Sequence, residues 1–437
     1  MKRQITSKLL QWKDSTTRKP LIVRGARQTG KSYTITEFGN THFDGTTHII
    51  NFEKRTDWHS VFDLNYDVNR IVGELEILTG KRITPGKDLL FFDEIQECPK
   101  AIASLRYFYE QMPDLQVIAA GSLLEFALGN IPFPVGRVQL ISMHPMNFQE
   151  FLMSTGNEPA AQLINDVPKE VSESIHLMLM GELKKYFFVG GMPECVKTYA
   201  ETQSLNEVFN IQSDLLSTFR QDFLKYTPRI DTSCLNSVLS SIPQKVGQQI
   251  KYSGLAEGYS NPTIKKAFDL LETARLFRKV KNASPAGLPL GASASDKKFK
   301  AIMLDVGLFG CFLGGSRSLE YSKTSLLSVF QGAMAEQFVG QEILANANCD
   351  LFYWAREAKS SNAETDYLIE KNDKIIPVEV KSGKGGSLKS LHLLLETYPN
   401  VDEAFVFSDS QYGKADGQKI SFIPLYFTAS AVSEKTL

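Results

Sequence analysis

The first third of the chain alternates between short apolar runs and longer segments with apolar residues at helical spacing. Continuous apolar runs of a few residues are typical of strands that are buried on both faces of a parallel sheet. The predicted strands are 21–24, 48–52, 89–93, 116–121 and 136–142, and the predicted helices are 3–12, 33–38 and 71–78. This alternation predicts an α/β fold around a parallel sheet.

The middle of the chain is dominated by helical periodicity. Long helices are predicted over 172–186 and 206–226, where apolar residues recur every three to four positions. A tight turn is predicted over 189–194, because two glycines and a proline prevent regular structure there. The polar stretch 154–168 is predicted to be a connection, and 284–295, rich in Gly, Pro, Ala and Ser, is predicted to be a flexible loop.

The last part of the chain returns to mixed helix and strand. It predicts a helix over 330–347, a strand over 351–355, a hairpin over 365–381 and a helix that begins near 387. The chain therefore divides into three predicted domains. These are 1–155, an α/β domain; 156–315, a helical domain; and 316–437, a small α/β domain.

Composition narrows the class of protein. The chain has 437 residues, of which 43% are hydrophobic, and its formal net charge is −1. No apolar run approaches the roughly 18 residues of a membrane span, and the first six residues lack the apolar region that is expected of a secretory signal. Five scattered cysteines and six histidines show no metal-ligand spacing, so reduced thiols, a cytoplasmic location and no structural zinc are expected.

Positive charge is concentrated in two segments. Residues 1–31 hold nine Lys/Arg and one acidic residue, and residues 225–281 hold ten Lys/Arg and four acidic residues. Such local basic surfaces serve nucleic-acid binding in some proteins and are solvated faces in many others. Charge alone leaves both interpretations open.

The sequence that follows the first strand has the spacing of a phosphate-binding loop. An apolar strand ends at Gly25, and Gly30-Lys31-Ser32 follows at P-loop spacing, so backbone N–H groups and the next helix's N-terminus would face a phosphate. Lys31 is expected to reach the β- and γ-phosphates, and the Ser32 hydroxyl to hold Mg²⁺. The residues expected to bind the nucleotide are Gly25, Ala26, Arg27, Gln28, Thr29, Gly30, Lys31, Ser32 and Tyr33.

Two acidic residues end the third predicted strand. Ligands of parallel sheets lie at the carboxyl ends of the strands, so Asp93 and Glu94 are expected beside the phosphate loop. Asp93 would then hold the Mg²⁺ shell, and Glu94 would orient and polarise the attacking water. The alternative is a pair of exposed acids at the start of a helix, where negative charge is favourable.

Two further residues are candidates on weaker grounds. Ser122 follows the fourth strand and is predicted either to sense the γ-phosphate or to cap a helix, since Ser122 and Glu125 fit a capping box. Arg137 lies at the start of the fifth predicted strand and is predicted either to reach a γ-phosphate, of its own or of a neighbouring chain, or to be an ordinary surface arginine.

Five motifs follow one another in an order that is familiar from one family. They are Gly-x-x-x-x-Gly-Lys-Ser, Phe-Phe-Asp-Glu-Ile-Gln, Ala-Gly-Ser, Gly-Arg-Val and His144-Pro-Met-Asn-Phe-Gln-Glu-Phe151. The chain resembles the predicted AAA+-type ATPases of bacteria and archaea that carry a nuclease-like C-terminal domain of unclear role. The resemblance covers nearly the whole chain, but its motifs are specific only in the first half. It implies a P-loop NTPase with a parallel sheet, a helical and winged-helix middle, and a restriction-endonuclease-like end.

A winged helix-turn-helix is predicted within the middle part. Ser260 or Asn261 caps a helix that carries Lys265 and Lys266, and an apolar-basic strand with the wing follows. The basic residues of that wing are Arg278, Lys279 and Lys281. This element resembles the winged helix that the family places after its ATPase domain, and it would either read DNA or only pack domains together.

The C-terminal part carries a set of charged residues that resembles the PD-(D/E)xK nuclease core. Glu379 and Lys381 share one face of a strand, and Asp366 lies on the partner strand. The resemblance implies that Glu336, Asp366 and Glu379 hold Mg²⁺ and that Lys381 orients or deprotonates water. Thr365 stands where the family often has a proline, and a surface hairpin with alternating charges is the alternative.

These patterns predict Mg²⁺-dependent ATP binding and hydrolysis, coupled to nucleic-acid binding or processing. The alternative is a nucleotide-dependent switch that binds a partner protein and has an inactive nuclease-like domain. A small-molecule kinase is disfavoured, because Glu94 directly follows Asp93 and no acceptor-binding lid is evident. The predicted ligands and partners are ATP, Mg²⁺ and DNA, without a membrane, and a homo-oligomer would let Arg137 act in trans.

Overall fold

The computed structural model of the chain divides into two compact units, Met1–His144 and Pro145–Leu437. We call them the N-terminal and the C-terminal unit. The residues that the structure describes are 1–122, 133–225, 231–314, 326–347, 349–357, 362–381, 387–414 and 419–433. This division differs from the three predicted domains: the first boundary lies near 144 rather than 155, and no boundary separates two units at 315.

The N-terminal unit is built around a parallel sheet. Its strands are β1 (Leu21–Arg24), β2 (Thr47–Asn51), β3 (Leu89–Asp93), β4 (Gln116–Gly121) and β5 (Gln139–Ser142). Its described helices are α1 (Ile5–Asp14), α2 (Lys31–His42), α3 (Val68–Thr79) and α4 (Pro99–Gln111). The strand order is β2-β3-β4-β1-β5, and every pairing is parallel. The predicted α/β fold with a parallel sheet is confirmed.

Strand β3 shows why this sheet is covered on both faces. Its side chains alternate, so Leu90 and Phe92 enter one apolar cluster while Leu89 and Phe91 enter another. Helices α3 and α4 contribute to the first cluster, and α1 and α2 contribute to the second. A fully apolar strand is stable only where both faces are covered in this way, and its carboxyl end is left for polar residues.

The C-terminal unit joins a helical layer to a large mixed sheet. Its described helices are α5 (Phe148–Ser154), α6 (Glu158–Asn165), α7 (Glu173–Val189), α8 (Pro193–Thr202), α9 (Leu205–Lys225), α10 (Thr232–Ser241), α11 (Asn261–Thr273), α12 (Val306–Phe312), α13 (Leu326–Asn346), α14 (Lys389–Thr397) and α15 (Thr428–Val432). Helix α6 lies inside the stretch predicted as a connection, because Ala160, Ala161 and Ile164 form a buried apolar stripe there.

The mixed sheet of the C-terminal unit extends across the predicted boundary at 315. Its strands are β6 (Phe277–Asn282), β7 (Ser295–Met303), β8 (Phe352–Glu357), β9 (Asn362–Lys371), β10 (Lys374–Lys381), β11 (Ala404–Ser408), β12 (Gly413–Lys414) and β13 (Ile420–Pro424). The order is β12-β13-β11-β10-β9-β8-β6-β7. Strand β6, which carries the basic residues predicted to lie on a wing, therefore belongs to this sheet, because Lys281 and Asn282 of β6 pair with Phe352 and Tyr353 of β8.

The predicted turn between 189 and 194 joins α7 to α8 and is anchored by a buried carboxylate. Gly190 has a φ of 69°, which disfavours any residue with a Cβ atom. The carboxylate of Asp305, which is fully buried, accepts hydrogen bonds from the backbone N–H groups of Gly191, Gly307 and Leu308 at 2.6, 3.0 and 3.0 Å. The turn and the start of α12 are therefore held by one side chain.

Residues 147–151 of the motif at 144–151 serve packing in the C-terminal unit. Asn147 and Glu150 form a reciprocal capping box at the start of α5, and Glu342 of α13 accepts a hydrogen bond from Phe148 N at 3.0 Å. The centroids of the Phe148 and Tyr186 rings are 5.6 Å apart.

Among the described residues, no helix combines the length and apolar character that crossing a bilayer requires.

Candidate functional site

The phosphate loop lies between β1 and α2. Gln28 and Gly30 have positive φ angles of 63° and 87°, so the loop turns sharply before α2 begins at Lys31. A Cβ atom on Gly25 would lie 2.3 Å from the carbonyl oxygen of Met143, which is too close for any other residue. The backbone thus forms a tight loop at the N-terminus of a helix, which is the arrangement that binds phosphate.

The side chain of Lys31 is folded into this loop. Its Nζ donates hydrogen bonds to the carbonyl oxygens of Gly25 at 3.0 Å and Ala26 at 2.7 Å, and the residue is only 6% exposed. Thr29 is also buried, and its hydroxyl donates to the Ala26 carbonyl at 2.9 Å. A positive charge is therefore held at the centre of the loop, where phosphate oxygens would lie.

The structure brings Ser32 and Asp93 together. The Ser32 hydroxyl donates a hydrogen bond to Asp93 Oδ1 at 2.7 Å, and Asn51 Nδ2 donates to Asp93 Oδ2 at 2.9 Å. Asn51 reaches this position because it is paired with Asp93 in the register of β2 and β3. Asn51 was not among the predicted site residues, although its place at the end of the second strand could have indicated it.

Glu94 follows Asp93 in a left-handed backbone conformation with φ of 49°. This conformation turns the chain out of β3, and the Glu94 side chain remains half-buried. Gln96 Nε2 donates a hydrogen bond to Glu94 Oε2 at 2.6 Å. Burial raises the pKa of Glu94, while the hydrogen bond from Gln96 opposes that increase. Gln96 is a second site residue that the sequence analysis missed.

Ser122 lies directly after β4, which is paired with β1 so that Gly121 stands opposite Arg24. The residue is 2% exposed, and its hydroxyl has no hydrogen-bond partner among the described residues. The capping box that would test the alternative role of Ser122 includes Glu125, which lies outside the described residues. Ser122 is thus a buried polar group at the same edge of the sheet as the phosphate loop.

The remaining loop residues are more open. Arg27 is partly buried, Gln28 is exposed, and Tyr33 in the first turn of α2 is 62% exposed. Arg3, which the sequence analysis did not single out, donates hydrogen bonds to the carbonyl oxygens of Thr29 at 3.0 Å and His144 at 2.7 Å. The residues before α1 therefore support the phosphate loop from outside.

Arg137 does not lie at the phosphate loop of its own chain. It precedes β5, and β5 runs parallel to β1, so Arg137 lies at the edge of the sheet opposite to the loop. Its Nε lies 3.2 Å from Glu110 Oε1, and its side chain is 46% exposed. The prediction that Arg137 reaches a γ-phosphate bound to its own chain is therefore wrong, because parallel pairing places the start of β5 beside the start of β1.

The residues at this edge of the sheet fit a nucleoside triphosphate with Mg²⁺. The tight loop that only glycine permits at Gly25, the ammonium of Lys31 and the unpartnered Ser122 hydroxyl are suited to phosphate oxygens. Ser32 and Asp93 supply the hydroxyl and carboxylate oxygens that Mg²⁺ prefers. Bound Mg²⁺ would neutralise phosphate charge and help to bind the nucleotide.

The charged residues predicted in the C-terminal unit form a cluster around a residue that the sequence analysis missed. Nζ of Lys300, on β7, lies 2.9 Å from Glu336 Oε1, 2.7 Å from Glu364 Oε1 and 3.2 Å from Asp366 Oδ1. Lys300 is 1% exposed. Burial lowers its pKa, but the three carboxylates outweigh burial and hold the pKa well above its usual value, so the ammonium stays charged. The sequence feature that could have indicated Lys300 is its position as a lysine inside the otherwise apolar run 299–303.

Glu379 and Lys381 lie beside this cluster and form their own pair. Lys381 Nζ donates to Glu379 Oε1 at 2.6 Å, and Val380 N donates to Asp366 Oδ2 at 2.8 Å. Burial raises the pKa of Glu379 to about 7. Within the part of the chain that the structure describes, no group of three or more His, Cys, Asp or Glu residues is arranged to hold a metal ion. The predicted ligands Glu336, Asp366 and Glu379 are brought together but do not fit a metal.

The predicted DNA-reading residues are only partly available. Lys265 and Lys266 are exposed on α11, which is capped by Ser260. Lys279 is buried, with its Nζ 5.0 to 5.5 Å from the centroids of three aromatic rings. Arg278 forms an ion pair with Asp350 at 2.8 Å. Of the two predicted roles of the wing residues, DNA reading and packing, the burial of Lys279 favours packing for this residue: it is a buried cation in an aromatic cage.

Three segments of the chain match known families. Residues 17–152 match the AAA domain, 180–319 match a domain of unknown function (DUF8612), and 331–427 match another domain of unknown function (DUF4143). An uncharacterized protein of Haemophilus influenzae is 24% identical over 391 residues, which are 85% of this chain and 84% of that protein. The relative and the last two families carry no stated function.

Solved structures similar to this chain include a Walker-type ATPase of Pyrococcus abyssi, with a TM-score of 0.46 and 15% identity over 71% of this chain and 95% of that chain. The RuvB Holliday junction branch migration motor of Thermotoga maritima has a TM-score of 0.30 and 15% identity over 64% of this chain and 90% of that chain. Drosophila ORC bound to DNA has a TM-score of 0.27 and 13% identity over 71% of this chain and 94% of that chain. The AAA-domain match, together with the parallel sheet and the loop at 25–32, identifies the N-terminal unit as an AAA-type P-loop domain.

Proposed function

We propose that the chain binds ATP with Mg²⁺ at the phosphate loop and hydrolyses it. The observation that carries this proposal is the 2.7 Å contact between the Ser32 hydroxyl and Asp93 Oδ1. It joins the helix that follows the phosphate loop to the strand that ends in two acids, which is the pairing that nucleotide-bound Mg²⁺ requires. The AAA-domain match over residues 17–152 supports the same activity.

The side chains divide the work. Lys31 binds phosphate oxygens, Ser32 and Asp93 bind the metal, and Glu94 orients and polarises the attacking water. Gln96 holds the Glu94 carboxylate in place and favours its ionised form. The buried Ser122 hydroxyl can donate a hydrogen bond to the γ-phosphate from the neighbouring strand. Arg137 would act only on the nucleotide of another copy of the chain.

The proposal is tested by separating binding from hydrolysis. Lys31→Ala is expected to lose binding of a fluorescent ATP analogue, because the only buried cation described in the loop is removed. Glu94→Gln is expected to keep binding and to lower kcat by roughly 10²- to 10⁴-fold, the usual contribution of general base catalysis. Phosphate release measures hydrolysis, and fluorescence anisotropy measures binding.

Lys8→Ala is the matched control, since Lys8 is an exposed lysine of the same unit on α1. It is expected to bind and hydrolyse ATP like the unmodified chain. ATP turnover that survives Glu94→Gln undiminished would show that another group activates the water. Normal nucleotide affinity in Lys31→Ala would show that the loop does not hold the phosphates.

We also propose that the C-terminal unit binds a partner without cutting it, so that the chain acts as a nucleotide-dependent switch. Two features support a nuclease-like core. One is the order of elements along the chain, α13, β8, β9, β10 and α14, and the other is the set of carboxylates of Glu336, Asp366 and Glu379. Cleavage by such a core needs a bound metal. The ammonium of Lys300 between the carboxylates favours the inactive form over an active nuclease.

The partner that we propose is a nucleic acid bound through α11. Lys265 and Lys266 are adjacent, exposed and close to the capped start of this helix, where a backbone phosphate would also meet favourable N–H groups. The double variant Lys265→Ala/Lys266→Ala is expected to weaken binding and to reduce the salt dependence of the affinity by about two phosphate contacts. Anisotropy with single-stranded DNA, duplex DNA and RNA measures this.

The double variant Lys184→Ala/Lys185→Ala provides the control, because these lysines are also adjacent on an exposed helix face of the same unit. Equal losses in both double variants would mean that binding follows net charge alone and not α11. If none of the three nucleic acids binds, the partner is of another kind and the switch would have to act on a protein.

A further inference from the structure

We propose that the ammonium of Lys300 is a built-in cation that replaces a divalent metal ion among Glu336, Glu364 and Asp366. The cleft of these three acids, which we call the lysine cleft, then carries no metal in the native protein. The proposal concerns the C-terminal unit alone and does not depend on whether the N-terminal unit hydrolyses ATP.

The number of N–H donors on the Lys300 ammonium equals the number of carboxylates in the lysine cleft. An ammonium group has three N–H donors, and the three carboxylates lie at 2.7, 2.9 and 3.2 Å from Nζ. The acids come from α13 and β9, while Lys300 enters from β7. Three donors and three acceptors from three elements make a closed set, so the ammonium fills the place where the carboxylates converge.

Two of the three outer oxygens of the same carboxylates are also engaged. Glu364 Oε2 accepts from Gln249 Nε2 at 2.7 Å, and Asp366 Oδ2 accepts from Val380 N at 2.8 Å. Glu336 Oε2 is then the one oxygen of these three acids without a hydrogen-bond donor among the described residues. A single oxygen does not make a site for a divalent metal ion, which binds several oxygens at about 2.0 to 2.6 Å.

Glu379 offers too little to replace this set. Its Oε1 accepts from Lys381, and only its buried Oε2 has no partner among the described residues. A single carboxylate oxygen, with the ammonium of Lys381 2.6 Å from its companion, does not make a divalent-cation site. The charge of Lys300 would further repel a cation that approached Asp366.

The charge of the cleft supports the same conclusion. Taking a buried carboxylate out of water is costly unless a cation or hydrogen bonds compensate for it. Lys300 supplies that compensation within the chain, as a metal ion does in a metal-dependent site. Removal of the ammonium would leave three converging carboxylates without a cation, and such a group recruits protons or a divalent ion.

The proposal is tested by measuring Mn²⁺ binding to the whole chain with electron paramagnetic resonance. The samples contain no nucleotide. All variants carry Asp93→Asn, which removes the carboxylate expected to hold metal in the N-terminal unit. The parent carries Asp93→Asn alone. Adding Asp366→Asn to it is expected to leave the amount of bound Mn²⁺ unchanged. Lys300→Met is expected to bind Mn²⁺ at least tenfold more tightly than the parent and to gain thermal stability when Mn²⁺ is added.

Lys297→Met is the matched control, since Lys297 is exposed on the same strand. It should resemble the parent. Mn²⁺ bound by the parent and released by Asp366→Asn would overturn the proposal. So would a folded Lys300→Met chain with no gain in Mn²⁺ affinity. If Lys300→Met does not fold, the parent and Asp366→Asn still decide the matter: no difference in Mn²⁺ binding supports the proposal, and a loss refutes it.

Discussion

Glu94 is the residue whose surroundings set the pH range of the proposed hydrolysis. Only its ionised form can accept a proton from water, and burial in the site raises its pKa. The hydrogen bond from Gln96 to Glu94 Oε2 works in the opposite direction, because an N–H donor favours the carboxylate over the carboxylic acid. Gln96 therefore widens the pH range in which Glu94 is ready to act.

Gln96→Ala is expected to move the acidic limb of the kcat profile to higher pH. Without the donor, the pKa of Glu94 rises further, so the carboxylate is lost at a higher pH as the solution is acidified. The kcat of ATP hydrolysis measured across the acidic range checks this. Glu97→Gln serves as the control, because Glu97 is exposed in the same turn, and an equal displacement in that variant would contradict the explanation.

At the scale of single elements, Gly190 shows how one position can hold two helices. It ends α7 with a φ of 69°, and a Cβ atom there would lie 2.1 Å from Asp305 Oδ2. The carboxylate of Asp305 cannot move away without breaking its hydrogen bonds to Gly191, Gly307 and Leu308. Both the backbone angle and the space therefore require glycine.

Gly190→Ala is expected to destabilise the C-terminal unit by about 3 kcal/mol, from a strained backbone and a steric clash. Gly181→Ala, in the middle of the same helix, is expected to be neutral or to stabilise by up to about 1 kcal/mol, since nothing lies within 4 Å of its added Cβ. Urea unfolding followed by circular dichroism compares the two variants. Similar effects of both changes would be incompatible with a special role of Gly190.

The elements of the N-terminal unit were predictable because their information is local. The apolar runs ending at Arg24 and Asp93 specify buried strands, and the parallel order places their ends together. Asn51 needed the register of β2 against β3, and Arg3 needed the loop's three-dimensional path. The arrangement of the phosphate loop and its acids was therefore largely foreseen, and its supporting residues were not.

The lysine cleft could not be foreseen in the same way, because its members are distant in the sequence. No element was predicted over 296–303, where Lys300 lies on β7, and Glu336 follows 36 positions later. The predicted boundary at 315 separated these residues, although the sheet places β7 in one unit with β9 and β10. Only strand pairing across that boundary brings the ammonium to the carboxylates.

At the scale of the whole molecule, buried acids in the C-terminal unit make its stability depend on pH. Burial raises the pKa of Asp305 to about 6 and that of Glu342 to about 8. A carboxyl group whose pKa is higher in the folded chain binds its proton more tightly there than in the unfolded chain. Between the unfolded and folded pKa values, the folded state holds more protons, and the free energy of unfolding falls as pH rises.

Glu342→Gln is expected to reduce this loss of stability. Glutamine can still accept the hydrogen bond from Phe148 N, but it does not ionise, so the variant avoids the burial of a charge as pH rises from 4.5 through about 8. Its free energy of unfolding should match that of the unmodified chain in mild acid and exceed it above pH 8. Urea titrations at the two ends of this range measure the difference, and Glu170→Gln, at an exposed position of the same unit, should show no such change. A constant difference between Glu342→Gln and the unmodified chain at every pH would mean that folding leaves the pKa of Glu342 unchanged, and that the helix start at Phe148 is held by a charge rather than by a protonated acid.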